Sequence, residues 1–393
     1  MSTHLFSDDK VNLRILKERA TGMRWGAVPE GTIPLTAADP DFPPAREITD
    51  AMIEYIKGQY LPYPAATGLT GLREIIAQRM LERKNINAPV DQIVLVDSAA
   101  SAMRAIACSV LEPGDEAIIF DPVDLLFGIS VRAAKGKVVY FPSVYKDGHW
   151  DLSSLESYVT PRTRMICLCN PHNPMGLLYT REELEHIAQV ADRHGLWIMN
   201  DEIWSDIIYS EKPFVSISSL GPELNKRTIS CYGFSKGFAL AGMRAGYIYT
   251  LNKDAFDAVS PLASAWGVDV VTQVAMKAAF EHGYGWVDQF VAHLQKCRDH
   301  IYNRFSRMPL IRATKQEATF VTFPNISATG MDSQGFVDWL SKEHKVQLVP
   351  GTEFWFGPRA EGHVRLCFST SMGILDEALD RIEEGLRELA SAK

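Results

Sequence analysis

The chain lacks the features that would direct it to a membrane or to nucleic acid. No uncharged apolar stretch reaches the roughly 18 residues that a membrane-spanning helix needs, and the first residues contain no apolar signal segment. There is no run of basic residues and the net charge is −8, which argues against nucleic acid or an anionic membrane surface as the main partner. We therefore expect a cytoplasmic protein.

Cysteine is scarce and is not spaced for metal binding. No Cys-x-x-Cys pair occurs among the six cysteines, which are Cys108, Cys167, Cys169, Cys231, Cys297 and Cys367. Several of them fall within apolar runs, which predicts buried, reduced thiols and no metal site. Cys167 and Cys169 alternate along a predicted strand, so their thiols should share one face of a sheet.

The sequence does contain a large apolar fraction and a regular alternation of elements. With 46% hydrophobic residues in a chain of 393, a large core and two domains are expected. Strand and helix patterns alternate from about residue 92 to 249, which predicts a mainly parallel sheet covered on both faces. The predicted strands are 93–96, 116–120, 137–141, 165–169, 197–200, 228–231 and 245–250. Helices are predicted to start at 270 and to cover 375–389.

A segment rich in small residues, from Gly233 to Tyr247, surrounds one lysine. Lys236 has an amine that can form a Schiff base with an aldehyde, and Arg244, eight residues later, offers a planar guanidinium to a phosphate. These are the groups that pyridoxal phosphate requires. A solvated lysine in a turn is the alternative interpretation of this motif alone.

Two upstream motifs follow apolar strands. Asp201 stands at the C-terminal end of one strand, where open α/β sheets bind ligands, and a buried carboxylate there can keep a pyridine nitrogen protonated. A helix N-cap is the alternative role for Asp201. Asn173 lies in a rigid turn between Asn170 and Gly176 that follows another strand. A turn without a ligand is the alternative for Asn173.

In this order and spacing, the motifs resemble the fold-type I pyridoxal-phosphate enzymes, and within them the class I/II aminotransferases and the cystathionine β-lyase-like carbon–sulfur lyases. The resemblance runs from about Pro34 to the C-terminal helix. It implies pyridoxal 5′-phosphate as the cofactor, with Lys236 as the Schiff base and Asp201 paired with the pyridine nitrogen. It also implies that Asn173 hydrogen-bonds the phenolic oxygen and that Arg244 binds the phosphate.

The same resemblance implies further cofactor contacts. The turn into the helix after strand 93–96 corresponds to a phosphate cup, formed here by Ser98, Ala99 and Ala100, and helix N-termini bind phosphate through free N–H groups. An ordinary strand-to-helix connection is the alternative. Ser235 lies close to the phosphate position. Tyr63 corresponds to a tyrosine that reaches the phosphate of the neighbouring subunit, which implies a homodimer with shared active sites.

Two residues correspond to the substrate site. Arg365 stands where the family places the arginine that grips the α-carboxylate of an amino acid substrate, and a bidentate pair of this kind fixes orientation. An arginine whose side chain reaches solvent from a strand edge is the alternative. Ala38 corresponds to the small residue whose backbone meets the same carboxylate, with an ordinary loop as the alternative.

The sequence departs from the family pattern at three positions. Asp124 occupies the place of the aromatic ring that normally stacks on the cofactor, and Phe127, three residues on, is the candidate to supply a ring instead. Trp204 replaces the usual tyrosine near the phenolic oxygen, and an indole can only donate a hydrogen bond. Gly233 stands where many members have a serine that binds phosphate.

The resemblance implies the fold of the type I pyridoxal-phosphate-dependent transferases. A large α/β domain (46–285) would carry a mainly parallel seven-stranded sheet, and a smaller α/β domain (286–393) would be joined by the N-terminal segment (1–45).

An aminotransferase acting on an L-amino acid is favoured, because the segment from Phe238 to Arg244 is most similar to that branch. A carbon–sulfur β-lyase is the alternative, supported by 170–174, 201–206 and 283–286. Asp124 and Trp204 also leave room for a specialised elimination or cyclisation. A regulator that only binds the cofactor is disfavoured, because it would not need the complete catalytic set.

Overall fold

The computed structural model describes residues 5–209, 211–265 and 267–392. Within these ranges the strands are β1 (Ile33–Pro34), β2 (Ile93–Val96), β3 (Glu116–Asp121), β4 (Lys137–Pro142), β5 (Tyr145–Lys146), β6 (His149–Trp150), β7 (Thr163–Cys169), β8 (Trp197–Asp201), β9 (Thr228–Gly233), β10 (Gly246–Thr250), β11 (Val321–Thr322), β12 (Val346–Gln347), β13 (Val349–Pro350) and β14 (Val364–Cys367). The helices are α1 (Leu13–Arg19), α2 (Arg46–Lys57), α3 (Thr70–Lys84), α4 (Ala99–Val110), α5 (Leu125–Ala133), α6 (Arg181–His194), α7 (Pro222–Asn225), α8 (Phe234–Gly237), α9 (Lys253–Ser264), α10 (Val270–His282), α11 (Tyr284–Phe305), α12 (Ser333–Glu343), α13 (Glu353–Phe356) and α14 (Met372–Ser391).

Seven strands form the central sheet in the order β2-β10-β9-β8-β7-β3-β4. β10 is antiparallel to both of its neighbours, and the other pairs are parallel. Every strand predicted from the sequence belongs to this sheet, so the mainly parallel seven-stranded sheet is confirmed. The strands could be predicted because parallel strands are buried on both faces and therefore consist of continuous apolar runs.

Helices cover both faces of the sheet. Helices α4, α5 and α9 pack on one face in a core that includes both Cys167 and Cys169, as their alternation predicted. Ile166 and Leu168, which alternate with the two cysteines along β7, face the core on the other side of the sheet, where α6 packs. Helix α6 begins with a capping box between Thr180 and Glu183, so its first free N–H groups are paired.

A second, smaller sheet lies in the C-terminal part of the chain. Strands β11, β14 and β13 form an antiparallel sheet, and helix α14 buries the predicted apolar face that includes Leu375, Leu379 and Ile382. N-terminal strand β1 pairs in parallel with β12, more than 300 residues later (346 − 33 = 313). The N-terminal segment therefore contacts the C-terminal part of the chain. No helix of the described ranges is long and apolar enough to cross a membrane.

Candidate active site

The sheet topology brings the predicted site residues to one edge. The C-terminal ends of parallel strands meet at the same edge, and residues following β2, β3, β7, β8 and β9 therefore converge there. Antiparallel β10 starts at this edge, so the residues just before it also converge. A cavity of about 400 Å³ opens at this edge, lined by Met23, Ala37, Ala38, Ser98, Ala99, Ala100, Met103, Asp124, Leu125, Leu126, Asn173, Asp201, Ile203, Trp204, Ser235, Lys236, Ala241, Arg244, Ala245, Trp355, Phe356 and Arg365.

Lys236 lies on the short helix α8, directly after β9. Its Nζ donates a hydrogen bond to the carbonyl oxygen of Ala38 at 2.6 Å and lies 5.4 Å from the centre of the Trp204 ring. Burial lowers the pKa of Lys236 below its ordinary value, although the nearby charge of Asp39 opposes the shift. Lowering its pKa increases the fraction of neutral amine, which is the nucleophilic form.

Asp201 ends strand β8 and is buried. Its Oδ1 accepts a hydrogen bond from the Ile203 N–H at 2.9 Å, and the Sγ of Cys231 lies 4.0 Å from the same oxygen. A turn follows Asp201, so its side chain caps a turn and not a helix. Burial raises the pKa of Asp201 to about 7, and the charges of Asp124 and Glu202 add to this rise. A carboxyl group that titrates near neutral pH can share a proton with a basic ring nitrogen.

The N-terminus of helix α4 forms one side of the cavity. Ser98 is the N-cap residue, and its Oγ accepts a hydrogen bond from the Ser101 N–H at 3.1 Å. Strand β10 passes close behind this turn at Gly246, where an added Cβ would lie 3.1 Å from the carbonyl carbon of Ser98. Arg244 lines the same cavity. Free N–H groups, the helix dipole and a guanidinium together suit a phosphate.

Asn173 connects two charged side chains in the cavity wall. Its Nδ2 donates to Oδ2 of Asp124 at 2.9 Å, and its Oδ1 accepts from a terminal nitrogen of Arg365 at 3.4 Å. The other terminal nitrogen of Arg365 donates to the Thr36 carbonyl oxygen at 3.1 Å. The buried Nε of Arg365 has no hydrogen-bond partner among the described residues. A guanidinium with an unused donor in a cavity suits a carboxylate ligand.

A buried ion pair holds the N-terminal segment that covers Lys236. Arg24 donates to the carboxylate of Asp41, and the indole N–H of Trp25 donates to the same carboxylate oxygen at 2.8 Å. Arg24 also donates to the Ala37 carbonyl oxygen at 3.3 Å, next to Ala38. Sequence analysis did not identify Arg24 or Asp41, because they match no motif and become a pair only after folding.

Two predicted site residues do not line the cavity. The Tyr63 side chain is fully exposed, and this chain alone does not bring it to the site. Phe127 is completely buried in the core between α4, α5 and the sheet, so the prediction that its ring faces the cofactor is wrong. Helix α5 starts after Asp124 and turns Phe127 towards the sheet. The aromatic side chains that line the cavity are Trp204, Trp355 and Phe356.

Comparisons with known proteins found related sequences and a structure of similar fold. The family model described as aminotransferase class I and II matches residues 30–382. A putative aminotransferase of Bacillus subtilis, YugH, is 31% identical over 92% of this chain and 93% of its own length. Aromatic-amino-acid aminotransferase 2 of Thermococcus litoralis is 32% identical over 91% and 92%. The structure of cystalysin from Treponema denticola, which contains a pyridoxal 5′-phosphate cofactor, covers 98% of this chain and 99% of its own with a TM-score of 0.89. At 22% identity, this match shows likeness of fold.

Proposed function

Since the chain belongs to the class I and II aminotransferase family, we propose that it binds pyridoxal 5′-phosphate covalently through Lys236. The cavity then transfers the amino group of an L-amino acid to a 2-oxo acid. One observation carries this proposal: a buried lysine, a buried aspartate, a helix N-terminus and a buried arginine line the same cavity although they come from distant parts of the sequence.

The chemistry of the cavity wall fits the cofactor group by group. Asp201, with its raised pKa, suits the pyridine nitrogen, and the second N–H of the Asn173 amide is available for the phenolic oxygen. The N-terminus of α4, with Ser98 to Ala100, would hold the phosphate together with Ser235 and Arg244. Trp204 would lie beside the ring. The bound cofactor supplies an electron-accepting ring for the bonds at the α-carbon of the substrate.

Residues of this chain then hold the substrate and move its proton. Arg365 binds the α-carboxylate through its guanidinium group, and the backbone at Ala38 completes that site. The amine of the substrate would take the place of Lys236 on the cofactor, which would free Nζ of Lys236 to take the α-proton and to return a proton from the same atom. Its lowered pKa increases the fraction of neutral amine, which is the basic form. Trp204 and Phe356 exclude water from this position.

A homodimer would complete the site. Tyr63 is fully exposed and follows a stretch with several exposed apolar side chains, namely Ile53, Ile56, Tyr60 and Leu61. Contiguous exposed apolar surface is typical of protein interfaces. We infer that this stretch packs on a second copy and that Tyr63 reaches the phosphate of that copy.

We also propose that the chain has the two domains predicted from its sequence. Residues 46–285 would hold the cofactor, and 286–393 with 1–45 would form the smaller domain. The pairing of β1 with β12 supports the assignment of the N-terminal segment.

Covalent labelling tests the role of Lys236. The protein is loaded with pyridoxal phosphate, the bond to lysine is made permanent by reduction with borohydride, and the modified peptide is identified by mass spectrometry. We expect the label on Lys236, its absence in Lys236→Ala, and its retention in Lys253→Ala, where an exposed lysine is removed instead. A label on another lysine would refute the assignment.

Product analysis tests the reaction. Amino acids, including cystathionine, are supplied together with an acceptor 2-oxo acid. Transamination gives a new amino acid and a new 2-oxo acid without ammonia or thiol, whereas a β-lyase would release pyruvate, ammonia and thiol. Release of thiol without amino transfer would refute the aminotransferase.

A further inference from the structure

The proposed function gives a partner to most, but not all, of the charged side chains in the cavity. Five ionisable side chains of the described residues line the cavity: Asp124, Asp201, Lys236, Arg244 and Arg365. The cofactor would bond to Lys236 and would pair its ring nitrogen with Asp201 and its phosphate with Arg244. The substrate carboxylate would pair with Arg365. Asp124 forms no direct ion pair among the described residues, although the charges of Arg365 and Lys236 act on it from further away, and neither the cofactor nor the common part of an amino acid would supply a direct partner.

Asp124 is held in place by two hydrogen bonds. It is the N-cap of α5, where its Oδ1 accepts from the Leu126 N–H at 3.0 Å, and its Oδ2 accepts from Nδ2 of Asn173 at 2.9 Å. Both donors are neutral, so neither balances the negative charge. A helix N-terminus is a favourable place for a negatively charged side chain. A carboxylate has about four acceptor sites, so two contacts leave room for a further donor.

The Asn173 amide fixes where this charge lies relative to the substrate. A carboxylate only accepts hydrogen bonds and a guanidinium only donates them, so the amide nitrogen must face Asp124 and the amide oxygen must face Arg365. A carboxylate and a guanidinium therefore stand at the two ends of one amide group. An amino acid held by its α-carboxylate at Arg365 can extend a side chain along this wall towards Asp124.

The remaining walls favour an aliphatic stem. The cavity is lined by apolar side chains, which are Met23, Met103, Leu125, Leu126, Ile203, Trp204, Trp355 and Phe356. The three cations of the described lining are already used by the cofactor or by the α-carboxylate. Among the described residues, no further cation lines the cavity for a carboxylate on the substrate side chain.

We propose that Asp124 is a specificity-determining residue, and that it selects amino acids whose aliphatic side chain ends in an ammonium or guanidinium group. This inference rests on the proposed function, because it takes the roles of Arg365 and of the cofactor from there. The cationic end of the side chain donates to the free acceptor sites of Asp124.

Matched substrates test the selection directly. Lysine and norleucine share the same stem and differ only in the terminal ammonium group, and arginine tests a guanidinium. With a common acceptor 2-oxo acid, we expect kcat/KM of the wild type to be about 10- to 100-fold higher for lysine or arginine than for norleucine, the range typical of a charge-assisted hydrogen bond. The larger of the two cationic preferences identifies the preferred group. A ratio near one for both overturns the proposal.

A binding measurement provides a second readout that does not depend on turnover. 5-Guanidinopentanoate and hexanoate carry a carboxylate but no α-amino group, so they cannot react. Calorimetry on the cofactor-loaded protein should show at least about tenfold tighter binding of 5-guanidinopentanoate. Equal binding overturns the proposal. If no amino acid reacts, the proposed function fails, and this comparison decides the inference by itself.

Variants separate recognition from helix capping. Asp124→Asn should reduce the cationic preference at least about tenfold, whereas Asp124→Glu, which keeps the charge, should retain most of it. Asp332→Asn is the matched control, because Asp332 caps α12 in the same way through the Gly335 N–H and does not line the cavity. A loss that is the same for lysine and norleucine in Asp124→Asn would mean that Asp124 only positions Asn173 and α5. If Asp124→Asn does not fold, the proposal is decided by the kcat/KM of lysine and arginine relative to norleucine in the wild type and in Asp124→Glu.

Discussion

Asp201 should make the stability of the cofactor-free protein depend on pH in an unusual direction. Burial first, and then the charges of Asp124 and Glu202, raise its pKa from 3.8 to about 7. Between these values the folded protein holds a proton on Asp201 that the unfolded chain has released. The folded state binds more protons, so the free energy of unfolding falls as the pH rises through this window and levels off above about pH 7.

The size of the effect follows from the shift. One pKa unit corresponds to about 1.4 kcal/mol, so the whole window corresponds to roughly 4 kcal/mol, and the part between about pH 5 and about pH 8 to roughly 3 kcal/mol. Asp201→Asn cannot titrate. The difference between wild type and Asp201→Asn in the free energy of urea-induced unfolding, measured at both pH values, therefore isolates this group.

Asp91→Asn serves as the control, because Asp91 is exposed and lies before β2, at the opposite edge of the sheet. Its pH dependence should match that of the wild type. Loading with pyridoxal phosphate should remove most of the loss, since the ring nitrogen offers Asp201 a positive partner. If wild type and Asp201→Asn show the same pH dependence to within about 1 kcal/mol, the raised pKa is refuted.

Two further predictions concern the parts of the chain that complete the cavity. Arg24→Ala or Asp41→Asn should each lower the free energy of unfolding by about 3 to 5 kcal/mol, because each leaves a buried charge or donor without its partner, whereas Arg46→Ala, at an exposed pair, should cost less than about 1 kcal/mol. A loss below about 1 kcal/mol for both buried variants would contradict this account. Tyr63→Phe should weaken pyridoxal phosphate binding about tenfold by equilibrium dialysis, and mixing it with Lys236→Ala should restore tight sites in mixed dimers. Unchanged affinity would argue against a shared site.

The part of the site that follows the sheet could be predicted from the sequence, and for a physical reason. Parallel strands appear as apolar runs, and the first polar residues after each run must lie at the C-terminal edge of the sheet. Asn173, Asp201 and Lys236 occupy this position, and all three line the cavity. The position of each residue just after a predicted strand was therefore enough to predict that the three lie close together.

The other walls of the cavity could not be predicted in this way. Trp355 and Phe356 belong to α13, more than 100 residues beyond β10, and no motif marks them. The wrong prediction for Phe127 has a related cause. Its distance from Asp124 along the chain was known, but the direction of its ring depends on the rotation of α5, which is set by packing on the sheet.

The part of the cavity that would hold the cofactor depends mainly on the backbone, whereas the part that would hold the substrate depends on individual side chains. The cofactor half is built from strand ends, a helix N-terminus and close backbone approaches such as that at Gly246, and this geometry is retained as long as the sheet is retained. The rest of the cavity wall depends on individual side chains, and Asp124 stands at the position where the resemblance places an aromatic ring against the cofactor. Membership of the family thus supports the proposed amino transfer, whereas the choice of amino acid must be sought in the side chains that the cofactor does not use.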